Sequence, residues 1–131
     1  WQKKCMSEVG YNLVVKSILE GKFIDLSAFP QEQRKNFDLA AEDLWQRNFH
    51  LEAAKVFNMT QNTIRLRELA EVALKEKKLG VSLYAFQALK DPEGLNRTGE
   101  AYLRVPDVKA ALACYEAADN EMMISFIREN F

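Results

Sequence analysis

LNRTGEAYLRVPDVKAALACYEAA, residues 95–118, reads as a helix, a tight turn and a second helix. Its small and large apolar residues fall where two antiparallel helices need them. Gly99 and Ala111 let the helices approach, while Tyr102, Leu103, Val108, Leu112 and Tyr115 fill the space between. The same pattern recurs at a stride of 29 residues: Gly99 aligns with Ala70 and Ala41, Ala111 with Ser82 and Ala53, Tyr115 with Phe86 and Phe57. Tyr102, Ala73 and Leu44 make a fourth column, and Val108, Leu79 and His50 a fifth. Large and small residues repeating in register predict an all-α chain, a right-handed α-solenoid of antiparallel helical hairpins with about eight helices.

Working outward, the 131 residues suit one helical-repeat domain. Residues 1–29 supply an N-terminal helix and connector, 30–119 three hairpins, and 120–131 a capping helix or the front half of a further repeat. Met6, Val9, Leu13 and Ile18 lie at helical spacings over residues 3–20, with Gly21 as the stop. KFIDLSAFP (22–30) reads as an ordered connector with buried aromatics, and Ser27 and Pro30 open the next helix, with the proline in its first turn. TQNT (60–63) supplies caps for the following pair, and Asp91-Pro92-Glu93 is a strong helix start. The last segment places Met123, Phe126 and Ile127 on one stripe.

Composition narrows the function classes. A net charge of −1 with both signs dispersed lacks the basic excess of a general nucleic-acid binder. Cys5 and Cys114 lie at opposite ends and fit isolated thiols in a reducing, cytoplasmic setting. No apolar run approaches the roughly 20 residues of a membrane helix, so no membrane insertion is expected. The chain opens on Trp1 instead of methionine, which points to a fragment of a larger protein.

The last unit resembles a tetratricopeptide repeat, through Gly99, Tyr102, Val108, Ala111, Tyr115 and Ala118. Ala70, Ala73, Leu79, Ser82, Phe86 and Leu89 follow the pattern more loosely, and Ala41, Leu44, His50, Ala53, Phe57 and Thr60 most loosely. The tetratricopeptide period is about 34 residues, so each unit here is shorter. The shorter stride also resembles the helical solenoids of coatomer, clathrin heavy chain and intraflagellar transport subunits. Both resemblances imply a scaffold or protein-binding module of a coat or transport kind, without chemistry of its own. Tetratricopeptide domains that clamp a C-terminal carboxylate present lysine and asparagine on the inner face. Asp38 and Glu42 would repel a carboxylate there, so chaperone-tail binding is not carried over.

The first helix of each pair is expected to line a concave face. Glu42, Glu71 and Glu100 share one column; Gln46, Lys75 and Arg104 follow four residues later, so Glu71–Lys75 and Glu100–Arg104 are favourable pairs. Arg67 and Asn96 share the column of Asp38. The partner-binding candidates are therefore Glu42, Trp45, Arg67, Glu71, Lys75, Asn96, Glu100 and Arg104, Trp45 because tryptophan is enriched at interface hot spots. The competing expectation is plainer: solvated helix faces, and a Trp45 packed between repeats like its column mates Leu74 and Leu103.

His50, the one histidine, shares a column with Leu79 and Val108 and suits packing. No Ser-His-Asp, Cys-His, zinc-ligand or glycine-rich phosphate pattern is present in the sequence. No enzyme, metal or cofactor is expected, and the partner is another protein or another part of the parent chain. The alternative is an RNA-binding array using the basic helix ends at Arg65, Arg67, Lys75, Lys77 and Lys78.

Overall fold

The computed structural model describes Lys16, Glu20, Gly21 and residues 24–131. Its regular elements are all α-helices: α1 (Gln31–Gln46), α2 (His50–Met59), α3 (Thr63–Lys75), α4 (Leu79–Leu89), α5 (Pro92–Arg104), α6 (Val108–Ala117) and α7 (Glu121–Asn130). Among the described residues there is no strand, and no helix is long and apolar enough to cross a membrane. Seven helices stand where about eight are expected. The missing one, over residues 3–20, falls outside the described residues apart from Lys16 and Glu20, as do Trp1, Cys5 and Phe23. Two compact units divide the chain, residues 1–66 and 67–131.

In the first unit the connector is ordered by burial. Leu26 is fully buried, and its amide donates to the Met59 carbonyl at 2.8 Å. Phe29 sets its ring edge-on to Phe37 at 5.6 Å. Helix α1 starts one residue later than the sequence suggests. Pro30 holds an extended ψ of 148° and stands just before the first turn, its carbonyl accepting from the Arg34 amide. Ser27 does not cap the helix, because its amide and hydroxyl both donate to Asp25. From α1 the chain turns into α2, and the hairpin buries Phe37, Ala40 and Ala41 together with Ala53, Ala54, Val56 and Phe57.

In the second unit α4 packs on α5, α5 on α6, and α6 on α7. The stride of 29 survives as burial: Ala53, Ser82 and Ala111 are each fully buried, as are Phe57 and Phe86, and Tyr115 is 1% exposed. Ala41, Ala70 and Gly99 are buried too. Two core hydroxyls are satisfied locally. Ser82 donates to the Leu79 carbonyl and Thr98 to the Gly94 carbonyl, which keeps either hydroxyl from costing its desolvation. The last helix buries Ile124 and Ile127; Met123 is half-buried and Phe126 exposed, so the buried stripe lies one residue round from the sequence reading.

The turns share the stride. Asn48 and Lys77, between the helices of a pair, and Gln61, Lys90 and Asp119, between pairs, all take positive φ. At the remaining equivalent position stands Pro106, whose ring fixes φ near −65° and forbids that conformation; the Val105–Pro106 peptide is cis. Glycine is placed the opposite way. Gly94 and Gly99 lie inside α5, where a Cβ on Gly94 would strike the Phe86 ring and one on Gly99 would sit 2.8 Å from Tyr115 Cζ. Gly94 and Gly99 are packing contacts, and asparagine, lysine, glutamine and aspartate bear the left-handed turns at these positions.

Two substitutions test that inversion. Lys90→Gly relieves a left-handed lysine and is expected to stabilise by about 0.5–1 kcal/mol, net of glycine's extra unfolded-state entropy. Gly94→Ala is expected to destabilise by about 1–3 kcal/mol through overpacking on Phe86, despite alanine's higher helix propensity. Urea denaturation of both variants reads the two signs.

Candidate functional site

Three helix starts carry the same device. Asn62, Asp91 and Asn120 each stand before a helix of the first-in-pair type, 29 residues apart. Each side chain accepts, through one oxygen, the amide three residues on: Arg65, Gly94 and Met123, all at 3.2 Å. The other end of the same side chain reaches back to a helix 24 residues earlier. Asn62 donates to Asp38 at 3.1 Å, Asp91 accepts from Arg67 at 2.8 Å, and Asn120 donates to Asn96 at 3.0 Å. The partner residue changes in step with the cap, so a donor always meets an acceptor.

Asp38 also accepts from the Thr60 hydroxyl at 2.6 Å. Desolvation raises its pKa above the usual carboxylate value, against the pull of the Thr60 and Asn62 donors. Desolvation likewise pushes Asp91 upward, but the Gly94 amide and the Arg67 guanidinium together hold it below the ordinary range.

Glutamates make a second ladder beside the first. In the first unit Arg65 grips Glu42 with two bonds, 2.7 and 2.8 Å, and lies 6.0 Å above the Phe57 ring centre. In the second, Arg97 grips Glu71 at 3.0 and 2.5 Å and lies 5.5 Å above Phe86. The arginine comes from position 23 after the glutamate in one case and 26 after it in the other, one helical turn apart. The hydrogen bond from Arg97 keeps Glu71 below the usual carboxylate range. Bidentate geometry over an aromatic face makes these pairs firmer than isolated surface ion pairs.

A groove of about 740 Å³ opens in the second unit between the end of α3, the start of α4 and the end of α5. Leu74, Leu79, Tyr102 and Val105 give it apolar walls, and Lys77, Arg97, Glu100, Arg104 and Asp107 its charges. Val105 is 63% exposed. Lys77, Glu100 and Arg104 have no hydrogen-bond or ion-pair partner among the described residues.

The structure distributes the sequence candidates among these features. Glu42, Arg67, Glu71 and Asn96 are engaged inside their own units, Glu71 with Arg97 and not with Lys75. Lys75 is exposed, without an ion pair among the described residues. Trp45 is half-buried, edge-on to His50 at 4.3 Å. Glu100 and Arg104 both line the groove but form no ion pair with each other. Sequence reasoning placed Arg65 only among basic helix ends and missed its pairing with Glu42, the pairing of Arg97 with Glu71, and the doubled use of Asn62, Asp91 and Asn120. The signal for the caps was legible, since T-Q-N-T, K-D-P-E and D-N-E repeat a capping residue at the common stride. Among the described residues no group of three or more His, Cys, Asp or Glu side chains gathers to hold a metal ion.

Asn62→Asp keeps a competent cap but sets two carboxylates face to face with Asp38. It is expected to cost about 1–3 kcal/mol, and Asp38→Asn in the same chain restores the donor and most of the loss; thermal melts of the single and double variants decide. The Arg67–Asp91 bond has its own acid signature. Asp91 is depressed in the folded chain, so its contribution is present above the unfolded carboxylate value and fades as pH falls through the folded one. Arg67→Ala should cost about 0.2–1 kcal/mol at pH 7, the gap to wild type closing on acid titration. Set against known proteins, the chain matches no family model, no curated protein and no solved structure.

Proposed function

We propose that this chain is a non-catalytic interaction module of the α-solenoid class, which binds a segment of another protein or of its own parent chain along the α3–α5 groove. One observation carries the reading: an apolar-walled groove in which the side chains of Lys77, Glu100 and Arg104 have no partner among the described residues while neighbouring Arg97 is paired with Glu71. Charged side chains surplus to the fold, beside an exposed Val105, are what a polypeptide partner uses. Glu100 and Asp107 in the same wall oppose a phosphate backbone, which favours protein over RNA.

The repeated burial at a stride of 29 supports a place among helical-repeat scaffolds of the tetratricopeptide or coat-subunit kind. Cys114 fits a reducing, cytoplasmic setting as inert filler: it is unpaired, and burial pushes its thiol up to about 11.

The test is capture of the intact parent chain and its partners on immobilised wild type, Arg104→Ala and Val105→Asp, with Ile64→Asp as an exposed site outside the groove. The groove variants are expected to lose at least about tenfold in retained partner, the equivalent of about 1.4 kcal/mol, with unchanged melting. Equal retention by all four proteins rejects the groove, and a salt-sensitive shift with single-stranded RNA replaces the reading with nucleic-acid binding.

A further inference from the structure

The glutamate column has a third member in the described second unit, Glu100, and there the arginine is missing. Positions 23 and 26 after it are Met123 and Phe126, where the two earlier glutamates find Arg65 and Arg97. Glu100 is exposed and has no partner among the described residues. Beneath it the aromatic column ends in Tyr115, 1% exposed, whose hydroxyl is buried without a hydrogen-bond partner. The Tyr115 ring lies against Gly99, the residue before Glu100. Burial first, and then the Glu100 charge, raises its phenol pKa.

From this we infer that Glu100 is the receptor for an arginine side chain presented by a partner polypeptide, completing in trans the arrangement that Arg65 and Arg97 complete within the chain. The guanidinium supplies two donors to the Glu100 carboxylate, as in the bonds to Glu42 and Glu71. Its flat face also suits an aromatic ring. Phe126, in the register of Arg97 and 48% exposed, offers such a ring at the surface. Arg97 cannot serve, being committed to Glu71, and Arg104, four residues along α5, makes no pair with Glu100. Lysine fits less well, since it brings a point charge in place of a planar fork.

The inference deepens the interaction-module reading and rests on it, so the experiment separates the two. The first arm supplies the arginine in cis. Phe126→Arg is expected to raise the melting temperature by about 2–4 °C in the wild-type background and by less than about 1 °C with Glu100→Gln. Loss of the Phe126–Phe131 ring contact is common to both backgrounds and cancels. The second arm titrates the full chain with N-acetyl-arginine amide and with the neutral isostere N-acetyl-citrulline amide, read by NMR at Tyr115 and Glu100. A saturable shift from the arginine compound alone, abolished by Glu100→Gln, is the expected result. Equal melting shifts in the two backgrounds, or responses that ignore the guanidinium charge or Glu100, overturn the proposal. Should Val105→Asp lose partner capture while the arginine response persists, the groove reading fails and the receptor stands. The reverse pattern removes the receptor alone.

Discussion

One side chain at each of positions 62, 91 and 120 meets two obligations, and much of the rest follows from that. It closes the exposed amides of its own helix and ties that helix to an earlier one. A cap alone tolerates Ser, Thr, Asp or Asn. The second bond narrows that freedom, because the reaching atom must be a donor opposite Asp38 and an acceptor opposite Arg67, while Asn96, whose amide can play either part, accepts from Asn120. Each link fixes where a helix begins as well as which turn of its neighbour it faces. The register so fixed puts Phe57, Phe86 and Tyr115 at the same depth in their surroundings, where burial supplies most of the stabilisation.

The unit is short for reasons visible in its turns. Helix α3 has 13 residues and α4 has 11, and three and two residues join them to their successors. Turns that tight need left-handed residues, and this chain meets the need with Asn48, Lys77, Gln61, Lys90 and Asp119. Glycine is withheld from those positions and placed where backbone meets ring, at Gly94 beside Phe86 and Gly99 beside Tyr115. The strain accepted in the turns leaves glycine for close approach in the core.

Legibility in the sequence followed the same division. Helical class, helix order and the buried columns could be read, because burial of an aromatic beside a small residue leaves a periodic trace in residue size. Most helix starts were also legible, since Asp91, Asp107 and Asn120 are caps by type. Pro30 was misplaced by one residue because proline suits both the first turn and the position before it. The candidate site was read only in part. Glu42, Arg67, Glu71 and Asn96 stood out by column, but what they do depends on partners 23 to 26 residues away. Local pairing rules look four residues ahead and pointed Glu71 at Lys75. Arg65 and Arg97 lie in different columns yet perform one task, and a strict stride hides that kind of substitution.

Where the pattern holds, a residue is explained by its equivalents; where it breaks, the residue must be explained by something else. Pro106 stands where Asn48 and Lys77 take positive φ, and Val105 beside it is exposed in the groove. Phe126 stands where Arg97 would recur, and Glu100 is left with no ion pair. Tyr115 adds a hydroxyl to a column otherwise made of phenylalanine, and no group among the described residues receives it. These departures all fall on α5, α6 and α7 or the turns joining them, within one unit, whereas the first unit keeps its arginine, its glutamate and its phenylalanine, Arg65, Glu42 and Phe57. A fold satisfied by the regular version gains nothing in stability from an unpaired carboxylate or a buried phenol without a partner. The physical case for function therefore gathers on these irregular residues, because the repeat itself has no use for them.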